Sequence, residues 1–166
     1  MSYMSKIIIG VMGPGELATP IDLDCAEQLG KLIAENNWVL LTGGRNVGVM
    51  NAASLGAKSA GGLTVGILPD RTTARMSEFV DLAIITDLGN ARNNLNVLSA
   101  TVIVACGMGT GTASEIALAL KQQKKVILLN ADAVSQQFFS NLSPENIVIA
   151  NDPENAISQI RAILKQ

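Results

Sequence analysis

The chain repeats one pattern: a short apolar run, a turn, and most often a helical stretch after it. Ile7-Ile8-Ile9-Gly10-Val11-Met12 ends in Gly13-Pro14-Gly15. A helical pattern over about 21–35 follows, with Cys25, Leu29, Leu32 and Ile33 on one face. The second run, 38–42, leads through Gly43-Gly44-Arg45-Asn46-Val47-Gly48 into a small-residue helix that Gly61-Gly62 stops near Ala60. The third and fourth runs, 63–68 and 82–86, are separated by a polar loop over 69–81. A helix over about 90–99 precedes the fifth run, 101–105, and a glycine-rich segment then opens a helix ending near Gln122. A sixth run over 125–129, a short helix over 133–139, a short strand over 147–149 and a final helix with Pro153 in its first turn complete the pattern.

Runs that are apolar throughout, not alternating, suit strands buried on both faces of a parallel sheet. Strands alternating with helices predict an α/β fold. It is a Rossmann-like, doubly wound parallel sheet with helices on both faces, in one domain over 1–166. Such sheets take ligands beyond the carboxyl ends of their strands, where the strand order switches. The glycine-rich segments after strands one, two and five lie at those ends.

Composition narrows the chemistry. The chain contains no histidine, which excludes a Ser-His-Asp triad, a Cys-His dyad and any histidine-bearing zinc site. Cys25 and Cys106 are far apart in sequence and form no CxxC motif, which argues against a two-cysteine metal site or redox motif. A net charge of −2 and few aromatic side chains argue against nucleic-acid binding. Met1 to Ser5 is polar and short, unlike a signal peptide, and no apolar stretch reaches membrane-spanning length. The expected location is the cytoplasm. Only 16% of residues are charged, below the ~25% usual for a soluble domain, and a homo-oligomer (dimer or tetramer) would hide the apolar surface left over.

Four segments could carry a site. In Cys106-Gly107-Met108-Gly109-Thr110-Gly111-Thr112-Ala113-Ser114-Glu115 a strand enters and a helix leaves. Glycines allow close backbone approach, and the helix N-terminus favours an anion. The same segment also reads as a tight turn, with Thr112 as cap and Glu115 closing a Thr-x-x-Glu capping box. Thr42-Gly43-Gly44-Arg45-Asn46-Val47-Gly48 has the same logic and adds a cation, though it matches neither GxGxxG nor a Walker A loop. Arg45 is either a ligand contact or a solvated charge. Gly89-Asn90-Ala91-Arg92-Asn93-Asn94 places an arginine suited to phosphate near the switch point, or merely on the surface. Asn93 and Asn94 could read the edges of a heterocycle. Gly13-Pro14-Gly15 with Glu16 is a weaker fourth element. Arg71 and Arg75 either cover the site or sit in a solvated loop.

Taken together, these segments resemble the LOG-like branch of the Rossmann-type "possible lysine decarboxylase" superfamily. That branch holds the Lonely Guy phosphoribohydrolases and the molybdenum cofactor carrier proteins. The Lonely Guy pattern Pro-Gly-Gly-x-Gly-Thr-x-x-Glu falls in register on residues 107–115, with Gly107 for the Pro and Met108 for the first Gly. Their catalytic Arg aligns with Arg92, where the usual Arg-Lys pair is Arg92-Asn93. That likeness implies Arg92 and Glu115 as catalytic residues acting on the N-glycosidic bond of a nucleoside 5′-monophosphate. The wording Gly48-Val49-Met50-Asn51-Ala52-Ala53, Thr64-Val65-Gly66-Ile67-Leu68-Pro69 and Ala91-Arg92-Asn93 is closer to the molybdenum cofactor carrier group. This second likeness implies a small oligomer that binds and protects the molybdenum cofactor (molybdopterin), with molybdoenzymes or cofactor-biosynthesis proteins as partners. The pterin's own dithiolene holds the metal, so such a carrier supplies no metal ligand. Its cofactor-binding residues would be Gly13, Gly43, Gly44, Arg45, Gly48, Arg92, Asn93, Gly107, Met108, Gly109, Thr110, Gly111, Thr112 and Glu115, with no catalytic residue.

Overall fold

A computed structural model describes residues 6–165, so the reading of Met1 to Ser5 lies outside the described residues. Among them, seven strands form one sheet: β1 Ile8–Met12, β2 Val39–Thr42, β3 Thr64–Leu68, β4 Leu82–Ile85, β5 Val102–Cys106, β6 Val126–Leu129 and β7 Ile147–Ala150. Every pairing is parallel, and the order across the sheet is β4-β3-β2-β1-β5-β6-β7. The chain winds outward from β1 to β4, then returns to lay β5 on the other side of β1. The carboxyl ends of β1 and β5 therefore flank the switch point, where a crevice opens.

The helices are α1 Pro20–Glu35, α2 Gly48–Ser59, α3 Asn93–Ser99, α4 Thr110–Lys121, α5 Ala133–Leu142 and α6 Pro153–Leu164. Alternate strand residues face opposite sides. Ile9, Val11, Leu40, Val102, Val104 and Ile127 pack with Leu29 and Ile33 of α1, Ala53 of α2 and Ile160 of α6. Met12, Leu41, Ile103, Ala105 and Leu128 pack with Val97 of α3, Ile116 of α4 and Phe139 of α5. The predicted doubly wound α/β sheet is thus present, with three helices on each side.

Local signals set the helix starts. Thr19 Oγ1 accepts from the Asp22 N–H at 3.2 Å while Asp22 Oδ2 accepts from the Thr19 N–H at 2.8 Å, a capping box at α1. Asp152 caps α6 by accepting from the Asn155 N–H at 2.7 Å, and Pro153 follows at the first helical position.

Two expectations change. All four β4 residues are exposed, because the 69–81 connection holds no helix to cover that edge of the sheet. The helix predicted over 90–99 divides into a 3-10 turn, Gly89–Arg92, and the seven-residue α3. Gly89 enters this turn at φ +54°, and the Ala91 N–H bonds to the Leu88 carbonyl at 3.1 Å, an i to i+3 contact tighter than an α-helical one.

Candidate functional site

A cleft of about 230 Å³ opens at the carboxyl ends of β1, β2 and β5. One wall is the β1–α1 loop, Gly13, Pro14, Gly15, Glu16 and Leu17. Gly43, Arg45 and Met50 come from the β2–α2 region, and Asn90, Arg92 and Asn93 from the 3-10 turn and α3. Gly109, Thr110, Gly111, Thr112 and Glu115 of α4 close it. Gly44, Gly48, Gly107 and Met108 lie outside this lining, although the sequence groups them with the others.

The N-terminus of α4 is open. Its cap is Gly109, which offers no side chain, and the Ala113 N–H is bonded to the Gly109 carbonyl at 2.8 Å. By helix geometry the N–H groups of Thr110, Gly111 and Thr112 have no carbonyl within the helix. The predicted Thr112–Glu115 capping box does not form. Thr112 is already the third helical residue, so its backbone is not that of a cap. The Glu115 carboxylate turns to α3, where Asn96 Nδ2 donates to it at 2.9 Å.

The N-terminus of α2 is packed instead. The Val49 N–H donates to the Pro14 carbonyl at 3.1 Å. Gly48, at φ +55°, has no room for a Cβ, which would collide with the carbonyl oxygens of Pro14 and Gly15.

Arg92 is the central cation. It is 8% exposed, and its Nε has no partner among the described residues. It makes no ion pair with a carboxylate among the described residues. Its guanidinium lies against Gly43, where any Cβ would strike Nη1. Burial depresses the Arg92 pKa, and the negative charge of Glu115 partly opposes that shift. Glu115 is 7% exposed, and burial pushes its carboxyl up to about 7, against the Asn96 hydrogen bond and the charge of Arg92. Arg45 donates from Nη2 to Glu16 Oε1 at 2.9 Å, while its Nε is buried and free of partners.

The buried side-chain polar atoms without a partner are Arg45 Nε, Arg92 Nε, Thr112 Oγ1 and Asn96 Oδ1, among the described residues. Three belong to cleft-lining residues, and the fourth belongs to the side chain that holds Glu115. Leaving such groups unpaired costs about 1–3 kcal/mol each, and native proteins carry few of them. Three of them border the cleft, where a ligand or water would be the nearest source of partners.

Asn96 and Met50 escaped the sequence reading. Asn96 had a signal, a polar residue four positions after Arg92 between Leu95 and Val97, which places it on the arginine's helical face. Met50 had none. Asn93 donates from Nδ2 to Ser114 Oγ at 3.0 Å, and Asn94 is absent from the lining. Arg71 pairs with Asp87 at 2.8 Å and Arg75 with Asp70. Their loop is tied to the β2–α2 loop through Asn46 N–H to Arg75 carbonyl (2.8 Å) and Ser77 N–H to Gly44 carbonyl (2.9 Å). Cys106 is a buried core residue whose thiol is pushed up by burial. No cluster of three or more His, Cys, Asp or Glu suited to a metal ion occurs among the described residues, and no helix there is long and apolar enough to cross a membrane.

The SLOG cluster4 family profile matches residues 6–157, which includes every residue of the cleft. The chain belongs to the SLOG cluster4 family. Known structures place this SLOG cluster4 chain more closely. The molybdenum cofactor binding protein of the phototrophic bacterium Rippkaea orientalis is 64% identical, with a TM-score of 0.96 over 97% of this chain and 99% of that one. The molybdenum cofactor carrier protein of Chlamydomonas reinhardtii is 48% identical, with a TM-score of 0.94 over 98% of this chain and 100% of that one. A more distant relative is the cytokinin riboside 5′-monophosphate phosphoribohydrolase of Rhodococcoides fascians. It is 26% identical over 159 residues, covering 82% of this chain and 80% of that one.

Proposed function

We propose that this protein binds and protects the molybdenum cofactor as a carrier, gripping the cofactor's phosphate in the cleft at the switch point. The observation that carries this reading is the buried, unpaired Arg92 guanidinium beside the open N-terminus of α4. A phosphate there gains three backbone N–H donors, the positive end of the helix dipole and a charge-assisted contact with Arg92. The Thr112 hydroxyl supplies a further hydrogen bond, and Arg45 a second cation. Asn90 and Asn93, which line the cleft, offer amides to the polar edges of the pterin. The cofactor brings its metal already chelated by its own dithiolene, so a site without thiolate or imidazole ligands suits it. The likeness to the Rippkaea and Chlamydomonas proteins supports the same ligand.

The test is retention. The protein, purified from a cofactor-producing host, should carry molybdenum and yield the fluorescent oxidised pterin on acid treatment. Added cofactor should decay more slowly with it than with a control protein. Loss of both overturns the reading.

A second reading rests on Glu115, which shares the cleft with Arg92 and has its carboxyl raised to about 7. In a nucleoside 5′-monophosphate phosphoribohydrolase, Glu115 would stabilise positive charge developing at the ribose while Arg92 holds the phosphate. Incubation with AMP and isopentenyladenosine monophosphate decides it. Release of ribose 5-phosphate that Glu115→Gln abolishes supports this activity, and release no faster than without protein excludes it.

We further infer a cytoplasmic homo-oligomer that delivers its cargo to molybdoenzymes or receives it from cofactor-biosynthesis proteins. The uncovered Leu82, Ile84 and Ile85 of β4 and the Val134, Phe138 and Leu142 stripe of α5 support subunit contacts. Light scattering on the purified protein tests the assembly, and a monomer at micromolar concentration would refute it.

A further inference from the structure

A second cleft, of about 340 Å³, lies directly beside the first and is lined by Glu16, Arg45, Asn46, Val47, Ala74 and Arg75. Only Glu16 and Arg45 line both clefts, and they are bonded to each other at 2.9 Å. Their ion pair therefore borders both spaces. At 230 Å³ the first cleft falls below the roughly 300–1,000 Å³ usual for a small-molecule site, and the two spaces joined fall inside that range.

We propose that the Glu16–Arg45 ion pair is a gate, which a phosphate-bearing ligand opens by taking Arg45 from Glu16 and so joining the two clefts. This rests on the anion-binding reading of the cleft given above.

Several features support the exchange. The Arg45 side chain is 23% exposed and that of Glu16 70%, so the pair is half in water and holds weakly. The backbone of Arg45 is fixed by an antiparallel bridge to Met76, which leaves its side chain as the part that moves. The Arg45 Nε is buried and unpartnered, so the guanidinium has donor capacity that Glu16 does not use. The Glu16 carboxyl is held below the usual range by its own backbone N–H and by Arg45, and it stays ionised near neutral pH. Arg75, on the far wall, also acts on Glu16 and gives the displaced carboxylate a second cation to face. In a carrier, an internal carboxylate competing for the ligand's cation limits affinity and provides a route to release.

Titration calorimetry of the full chain with inorganic phosphate tests the gate. Glu16→Gln should bind phosphate roughly two- to fivefold more tightly than the wild type, since it removes a competitor of surface-pair strength. Arg45→Gln should bind more weakly, and adding Glu16→Gln to Arg45→Gln should change nothing further. The phosphate complex should show Arg45 on the anion and separated from Glu16. Unchanged affinity in Glu16→Gln overturns the gate, as does a gain that persists without Arg45, because Glu16 then acts only through the general field. Wild-type binding without the Glu16 effect leaves the anion site standing and removes the gate alone. No phosphate binding by any folded variant removes both.

Discussion

The β2–α2 and β5–α4 loops look alike in sequence, and the structure uses them differently. Each runs from a strand through several glycines into a twelve-residue helix. At α4 the glycine cap leaves backbone donors facing a cleft, and at α2 the first turn is packed on the β1–α1 loop through the Val49 N–H and the Pro14 carbonyl. Glycine at α2 serves close packing, whereas glycine at the cleft side of α4 serves access. A glycine count cannot separate these uses, because both need a backbone without a Cβ.

The largest expected effect tests the packed side of this contrast. Gly48→Ala places a Cβ on a residue at φ +55° and against two backbone carbonyls that belong to another loop. Left-handed strain and the displaced loop together should lower stability by about 3 kcal/mol or more. Urea unfolding measures it, and a loss under 1 kcal/mol would mean that the α2 loop is not the packed one.

Glu115 gives the next largest effect, and it belongs to the α4 side alone. Its carboxyl sits at about 7 in the folded protein against an ordinary 4.5, so the folded state holds this proton more tightly than the unfolded state. The stability it contributes is complete below pH 4.5 and is lost as pH rises through 7. Glu115→Gln removes that slope. The stability of the variant relative to wild type should therefore rise between pH 5 and 8, by on the order of 2–3 kcal/mol. Urea unfolding across that range reads it, and a flat difference would place Glu115 in a more solvated setting than its burial indicates.

Arg92→Met probes the anion site itself. A lost charge-assisted contact of about 1.5–3 kcal/mol predicts phosphate binding about ten- to a hundredfold weaker. Stability should hold or rise, because the substitution removes a buried charge that makes no ion pair with a carboxylate among the described residues. Equal phosphate affinity would move the anion away from α4.

Much of the sheet was legible because its strands are buried on both faces and therefore read as continuous apolar runs. β4 is the exception. Leu82, Ala83, Ile84 and Ile85 have the same apolar wording as the buried strands and yet lie exposed, since what covers a strand is decided by the connections around it. Arg92 was legible as an isolated charge near the switch point, and the glycines as places where the chain turns sharply. The partition of those glycines between packing and cleft was hidden, because the neighbours that decide it are distant in sequence: Gly66 against Gly44, Asp22 against Gly107, Pro14 and Gly15 against Gly48. The Thr-x-x-Glu spacing at 112–115 misled for a similar reason. It is satisfied equally by a cap and by two residues one turn apart inside a helix, and α4 begins earlier, after Gly109.

The smallest effect sharpens the comparison most directly. Gly111 lies in the first turn of α4 and on the cleft, and a Cβ there would meet nothing within 4 Å. Its backbone is helical, so Gly111→Ala carries no left-handed strain and restricts the unfolded chain. Stability should rise by about 0.5 kcal/mol, the reverse of Gly48→Ala. If glycine is present at this position so that a ligand can approach the backbone, the same variant should bind phosphate a few times more weakly despite its better fold. A gain in stability joined to a loss in affinity would show that one kind of residue is kept for two separate reasons. A gain in stability with unchanged affinity would confine the ligand's approach to Gly109 and the N–H groups beyond it.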